Sequence, residues 1–180
     1  AGELVLDGNI GGVCGLTLAS SASGTAWRLN VTGKTTCSGA TVSDSDASGG
    51  RLAQARAPSV DAGGNSNWLF NVTENTWTGA KDKKWSTAGN WSAGSVPDAN
   101  TRVVVSSAAT IDLNVAATVL DLEIPGAVTF TGTNTLRIVE WLDIVRGGTL
   151  CQQTTIAPIQ VDGNAYVRSG GTWTHTKNGT

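Results

Sequence analysis

Residues 76–99 read TWTGAKDKKWSTAGNWSAGSVPDA, and the rest of the chain is organised on either side of them. We call this stretch the tryptophan segment, because it holds three of the seven tryptophans: Trp77, Trp85 and Trp91. The sequence before and after it is rich in short β-type runs. We therefore expect the end of one β-rich unit, a cap or linker, and the start of a second unit, over residues 1–70, 71–100 and 101–180.

The composition favours an all-β fold. Glycine is abundant, with 23 residues, methionine is absent, and only 14% of residues are charged. Trp27, Leu29 and Val31 alternate with polar residues, which predicts a half-buried strand. Short strands of this kind, with a turn about every 8–12 residues, suit a sandwich, a barrel or a β-solenoid.

A recurring short motif with two adjacent glycines favours the solenoid. The words RGGT and RSGGT place Gly147 and Gly170 23 residues apart. A parallel β-helix adds one coil roughly every twenty residues, stacked on the coil before it. We predict parallel β-solenoid coils with inward Val, Ile and Leu, outward Thr, Ser, Asp and Asn, and glycine pairs at the corners.

Two parts of the sequence resemble known bacterial proteins. Residues 12–70, with the words DSDASGG and GGNSNW, resemble the closing coils of β-helical regions in large bacterial secreted and surface proteins. The tryptophan segment is similar to a module of autotransporter-like or adhesin-like proteins that precedes a run of parallel β-helix coils. The matching positions are Trp77, Gly79, Asp82, Trp85, Asn90, Trp91, Gly94 and Pro97.

The tryptophans allow two interpretations. The open end of a solenoid exposes apolar side chains and unpaired strand edges, and indole rings could cover such an end. Lys81, Lys83 and Lys84 would then remain solvated at the rim. Alternatively, Trp77, Trp85 and Trp91 could form an exposed platform that stacks on sugar rings.

Cysteines and acidic residues suggest further sites. Cys14 and Cys37 lie 23 residues apart, so they could stack one coil above the other and form a disulfide, leaving Cys151 over. Asp44 and Asp46 are two residues apart and would point the same way on a strand. They could bind calcium, act as an acid and base on a polysaccharide, or cap a turn through their own backbone.

No catalytic constellation stands out. His175 is the one histidine, and neither a triad pattern nor metal-ligand spacing surrounds it. We expect no enzyme and no cofactor other than possible calcium. A net charge of −2 makes nucleic acid an unexpected partner, and the apolar runs are too short to insert in a membrane.

These observations predict a structural role. If residues 1–70 are the closing coils of one solenoid and residues 101–180 are the opening coils of the next, the outermost coils of the chain are uncapped. The last coil near Trp173 can then stack on Leu4 and Leu6 of another copy. Such a head-to-tail contact does not close and gives a fibre; tandem repeats in one chain follow the same logic. We expect a secreted or cell-surface filament, sheath or adhesin stalk. The alternatives are a carbohydrate-binding module or a polysaccharide-cleaving β-helix.

Overall fold

A computed structural model describes residues 3–22, 24–153 and 158–176, with the side chains of 9, 10, 175 and 176 excepted. The side chain of His175 therefore lies outside the described part. The chain divides into two compact units, Ala1–Thr73 and Glu74–Thr180. Within the described ranges all regular secondary structure is β-strand, apart from one 3₁₀ turn at Ala88–Asn90; turns and loops connect the strands.

The first unit is built from short strands that stack in parallel. They are β1 (Leu4–Asp7), β2 (Asn9–Ile10), β3 (Val13–Cys14), β4 (Leu16–Leu18), β5 (Trp27–Arg28), β6 (Thr35–Ser38), β7 (Ala40–Val42), β8 (Ser45–Asp46), β9 (Ala53–Arg56), β10 (Val60–Asp61) and β11 (Trp68–Thr76), the last of which continues into the second unit.

Three stacks of strands give each coil of the first unit three sides. One stack runs β1–β6–β9–β11, the second β4–β7–β10 and the third β5–β8, and all these pairs are parallel. The exception is the antiparallel hairpin of β2 and β3, which lies between β1 and β4 along the chain.

The core of the first unit is narrow, because the inward positions carry small side chains. Fully buried positions include Cys37, Ala40, Val42, Ala53 and Ala55. Larger side chains lie half-buried around them: Leu6, Leu16, Leu18, Trp27, Trp68 and Phe70.

The second unit has two stacks of longer strands. They are β12 (Thr101–Val104), β13 (Ala109–Leu113), β14 (Ala117–Ile124), β15 (Ala127–Gly132), β16 (Leu136–Ile144), β17 (Thr149–Gln153), β18 (Ile159–Val161), β19 (Asn164–Val167) and β20 (Thr172–Thr176). One stack runs β12–β14–β16 and ends in β18 and β19, which both pair with β16. The other runs β13–β15–β17–β20.

Equivalent inward positions form apolar columns in the second unit. Parallel in-register pairing places Ile144 beside Ile124 and Leu142 beside Leu122, and all four side chains are fully buried. Because strand side chains alternate between faces, one apolar residue at every second position fills the interior of each coil. The predicted all-β fold of parallel β-solenoid coils is confirmed.

The glycine pairs of the RGGT and RSGGT motifs lie at corners between strands, as predicted. Thr149 pairs with Thr172 and Leu150 with Trp173, so one coil here takes the 23 residues that also separate Gly147 from Gly170. Both glycines have positive φ, +82° and +77°. At neighbouring Gly148, a Cβ atom would stand 2.0 Å from the carbonyl oxygen of Ile124, so only glycine fits without a backbone shift.

Candidate functional site

The tryptophan segment forms the first turn of the second unit. Its backbone is hydrogen-bonded to the first regular coil: the Trp77 N–H donates to the Val104 carbonyl at 2.9 Å, and the Trp85 N–H to the Asp112 carbonyl at 2.9 Å. The Asp112 N–H donates in turn to the Lys83 carbonyl at 2.7 Å. The segment therefore satisfies the carbonyl of Val104 at the end of β12 and both backbone groups of Asp112 in β13.

The three indoles pack edge to face beneath this coil. The rings of Trp77 and Trp91 lie 4.9 Å apart at 79°, and those of Trp85 and Trp91 lie 4.7 Å apart at 69°. Trp85 also approaches Phe130, with centroids 6.4 Å apart, and belongs to the same apolar core. The Trp91 indole N–H donates to the Trp85 carbonyl at 2.9 Å. Such edge-to-face pairs stabilise more than their buried area alone.

Asn90 holds the segment in this shape. Its side chain is fully buried, and its Oδ1 accepts hydrogen bonds from the backbone N–H groups of Lys81 and Asp82 at 2.9 and 3.0 Å. Its Nδ2 donates to Asp82 Oδ1 at 2.7 Å and to the Lys84 carbonyl at 2.9 Å. Asn90 lies in the 3₁₀ turn, and from there its side-chain amide bonds the backbone of Lys81, Asp82 and Lys84. One side chain therefore fixes the conformation of this loop.

Asp82 completes the network at the surface. Its Oδ1 accepts from the Lys84 N–H at 2.8 Å, and its Oδ2 from the Thr87 hydroxyl at 3.0 Å. The Lys84 N–H and then the Asn90 side chain lower the pKa of Asp82, because they bond its charged form. Lys81, Lys83 and Lys84 are exposed around it. Polar residues of the segment thus serve its conformation.

The exposed sugar platform is not formed. Trp77, Trp85 and Trp91 are only 5%, 0% and 3% exposed, because their faces pack against one another and against the coil. A pyranose ring needs an accessible indole face, which none of the three offers in this arrangement. The sequence could not distinguish the two interpretations, since tryptophan spacing carries no information on which face is covered.

A shallow groove of about 210 Å³ lies beside the segment. Thr78, Gly79, Asp82, Lys83, Ser107 and Thr110 contribute to its lining. This volume is below the roughly 300–1,000 Å³ typical of small-molecule sites. In the described part of the chain, no group of three or more His, Cys, Asp or Glu side chains is arranged to hold a metal ion.

The last described coil of the second unit exposes its inward residues. Val167 pairs with Ile144, which pairs with Ile124, and exposure rises from 0% at both isoleucines to 49% at Val167. Trp173 pairs with buried Leu150 and is 38% exposed. Ala165, beside buried Leu142, is exposed too. We call Ala165, Val167 and Trp173 the end face.

The first coil of the first unit is also covered on one side only. Leu4 and Leu6 pair with Thr35 and Cys37 of the next coil and are half-buried. The opposite backbone edge of β1 pairs with no other described strand. Leu4, Leu6 and Trp173, which the sequence suggests as assembly ends, therefore lie on outermost described coils.

Asp44 and Asp46 do not share a strand. Asp44 has φ +50° and precedes β8, so strand alternation does not orient the two side chains together. Asp46 accepts a hydrogen bond from the Ser48 N–H at 3.0 Å, which lowers the pKa of its carboxyl. Asp46 therefore caps its own turn, which is one of the three arrangements that the sequence allows. In the described residues, no group of three or more His, Cys, Asp or Glu side chains that could hold a metal ion includes Asp44 or Asp46.

Cys14, Cys37 and Cys151 are free thiols, so the predicted Cys14–Cys37 disulfide is wrong. Cys37 pairs with Leu6, 31 residues earlier, because the hairpin of β2 and β3 and the following loop lengthen the first coil. The Cys14 thiol instead donates to the Pro58 carbonyl at 2.7 Å. The 23-residue spacing was misleading because Cys14 stands in the hairpin and not in the column of Cys37.

Outward carboxylates of the second unit meet arginines. Glu123 and Asp143 are in register on adjacent strands, a proximity that the sequence alone did not reveal. Arg102 pairs with Glu123, and Arg168 donates to both carboxylate oxygens of Asp143 at 2.6–3.1 Å. These pairs link successive coils and offset the repulsion between stacked carboxylates.

Comparison with known proteins identifies a family for the second unit. The family model described as "Domain of unknown function (DUF8693)" matches residues 76–180, more than half of the chain. No curated protein and no solved structure matches. The match begins at the first residue of the tryptophan segment. None of the described residues form a helix of the length and apolarity needed to cross a bilayer.

Proposed function

The chain belongs to the DUF8693 family, and from the structure of its coils we propose a non-enzymatic structural role in an extracellular or cell-surface filament, sheath or adhesin stalk. The filament would grow by stacking of open β-solenoid ends. The single observation that carries this proposal is the end face, where residues in buried columns become 38–49% exposed at Val167 and Trp173.

An open solenoid end is unfavourable in isolation. Its apolar side chains contact water, and the backbone N–H and C=O groups of its last strands lack a neighbouring strand. The opposite end of the second unit is covered by the tryptophan segment, with fully buried Trp85 at its centre. The contrast between a covered start and an exposed end supports a further coil as the cover for the end face, supplied by another copy or by a tandem repeat of the same chain.

Stacking of one end on a different end is a heterologous contact. Contacts of this kind extend into open filaments unless their rotation closes a ring. Long parallel ladders of β-strands also suit a load-bearing rod, since each coil contacts only its neighbours and the unit extends by repetition.

A paired substitution tests the proposal. Val167→Asp places a charge on the end face, whereas Val115→Asp makes the same change at a residue of similar exposure, 39%, between β13 and β14. Sedimentation velocity over a range of concentrations should show large assemblies for the parent chain and for Val115→Asp, and smaller species for Val167→Asp. A parent chain that stays monomeric at every concentration, with native circular dichroism, contradicts the proposal.

A further inference from the structure

The groove beside the tryptophan segment borders an indole N–H that the fold leaves unbonded. The indole N–H groups of Trp27, Trp68 and Trp91 donate to protein oxygens at 2.9, 3.0 and 2.9 Å. That of Trp77 meets no acceptor among the described residues, although the side chain is only 5% exposed. The Trp85 indole N–H is also unbonded there, but it is enclosed in the core, whereas Trp77 lines the groove. A ligand in the groove is therefore the natural acceptor for the Trp77 N–H.

Gly79 leaves this N–H accessible. Trp77 and Gly79 both line the groove, whose volume is about 210 Å³. A Cβ atom at Gly79 would stand 3.1 Å from Nε1 of Trp77, nearer than to any other atom of the ring, so the N–H edge lies beside Gly79. Gly79 has φ +62°, a backbone conformation that favours glycine, and a side chain there would crowd the indole edge. The groove therefore offers the N–H edge of Trp77 and not a ring face.

The uncharged polar side chains of the lining are hydroxyls. Ser107 and Thr110 are exposed, and neither hydroxyl is hydrogen-bonded within the described part of the chain. The Thr78 hydroxyl accepts from the Ala80 N–H at 3.4 Å and keeps its own proton for a further bond. Exposed Ala108 adds a methyl group to the same lining. The groove therefore combines hydrogen-bond donors and acceptors with a small apolar surface.

Charge at the groove is balanced. Asp82 and Lys83 both line it, and both are exposed. Asp82 is held in its ionised form, because the Lys84 N–H and the Asn90 side chain bond the carboxylate and lower its pKa. An anionic ligand would face the Asp82 carboxylate and a cationic ligand the Lys83 ammonium, each at an electrostatic cost. The lining therefore favours a neutral polar ligand.

We propose that this groove binds one neutral sugar unit, with a ring or hydroxyl oxygen of the sugar accepting the Trp77 N–H. Sugar hydroxyls donate and accept, which matches the hydroxyls of Ser107 and Thr110, and the C–H groups of the ring pack on Ala108. Peptide-binding sites instead provide apolar grooves or side-chain pockets, unlike this lining. The volume suits a single ring, since it lies below the range of sites that enclose larger ligands. This binding goes beyond the proposed structural role and does not depend on assembly of solenoid ends.

Saturation-transfer difference NMR of the full chain tests the class of ligand. A single sugar ring has about a dozen non-hydrogen atoms, which at a low ligand efficiency gives a dissociation constant of about 1 mM. The method detects such weak binding through the ligand, whether the chain is single or assembled. The neutral probes are the methyl glycosides of glucose, galactose and mannose. Glucuronate and glucosamine are the charged counterparts, and N-acetyl-trialanine amide is the peptide probe. At least one neutral glycoside should receive saturation, and more strongly than any charged or peptide probe.

Three variants locate the bound sugar. Trp77→Phe removes the indole N–H and Thr110→Val removes one hydroxyl, and each should weaken binding about fivefold through the loss of one hydrogen bond. Thr129→Val is the matched control, because Thr129 lies in register beside Thr110 on the next coil and does not line the groove. It should bind like the parent chain. Circular dichroism verifies the fold of each variant, and Thr110→Val decides the matter if loss of the Trp77 contact with Trp91 alters Trp77→Phe.

The sugar site is overturned if none of the three neutral glycosides receives saturation, or if a charged or peptide probe receives more. It is also overturned if natively folded Thr110→Val binds as strongly as the parent chain, or if Thr129→Val weakens binding equally. Filament formation is scored separately by electron microscopy, so a failure of sugar binding leaves the proposed structural role standing, and a monomeric chain that binds sugar leaves this site standing.

Discussion

Replacing Asn90 by alanine tests whether the tryptophan segment is a structural closure of the second unit. The amide side chain makes four hydrogen bonds, two accepted from backbone N–H groups and two donated to Asp82 and Lys84. At about 1 kcal/mol net for each bond, Asn90→Ala should lower the free energy of unfolding by about 4 kcal/mol. A single substitution of that size is rare outside buried networks and cores.

The assay is urea unfolding of the full chain, followed by tryptophan fluorescence and near-ultraviolet circular dichroism. Asn114→Ala is the matched control, because Asn114 makes two exposed hydrogen bonds with Ser86 and its loss should cost only about 1 kcal/mol. If Asn90→Ala is no more destabilising than Asn114→Ala, the network does not hold the segment, and the closure must rest on the indoles alone.

Three further predictions concern a coil corner, the surface carboxylate of the tryptophan segment and the buried cysteine of the first unit. Gly148→Ala should destabilise the second unit by about 3 kcal/mol, measured by thermal unfolding, because its Cβ would meet the Ile124 carbonyl oxygen. The lowered pKa of Asp82 stabilises the fold above about pH 4 and this contribution is lost as pH falls through the folded pKa, so Asp82→Asn should show a smaller acid-induced loss of unfolding free energy. Burial raises the pKa of Cys37, so maleimide labelling of the native chain should reach half-buried Cys14 well before Cys37, and equal rates would contradict the described core.

The coil period was visible in the sequence where the strands follow without insertion. Gly147 and Gly170 have the same spacing as the pairs that connect β17 to β20, because each coil there has equivalent corners. Coil length nevertheless varies. In the second unit Phe130 lies 19 residues after its partner Ile111, and in the first unit Cys37 lies 31 residues after its partner Leu6 and 18 before its partner Ala55. A constant coil length therefore predicts the wrong neighbour for Cys14, which lies in the hairpin of β2 and β3 and not beside Cys37 on the adjacent coil.

The role of individual polar residues was harder to predict. In the sequence, Asn90 stands out only as one of the positions that match the β-helix-associated module, yet it is fully buried. Its role depends on four partners that the 3₁₀ turn brings together, and no pairwise spacing encodes them. The exposed valine of β19 could have been found, since Val167 follows Ile144 by the 23 residues of the Gly147–Gly170 spacing.

Negative-stain electron microscopy of the purified chain, without reducing agent, tests the central claim most directly. We expect long thin filaments with a regular axial repeat, which shorten or disappear in Val167→Asp and persist in Val115→Asp. Compact single particles at every concentration, from a chain whose circular dichroism is β-rich, would contradict the assembly of open solenoid ends.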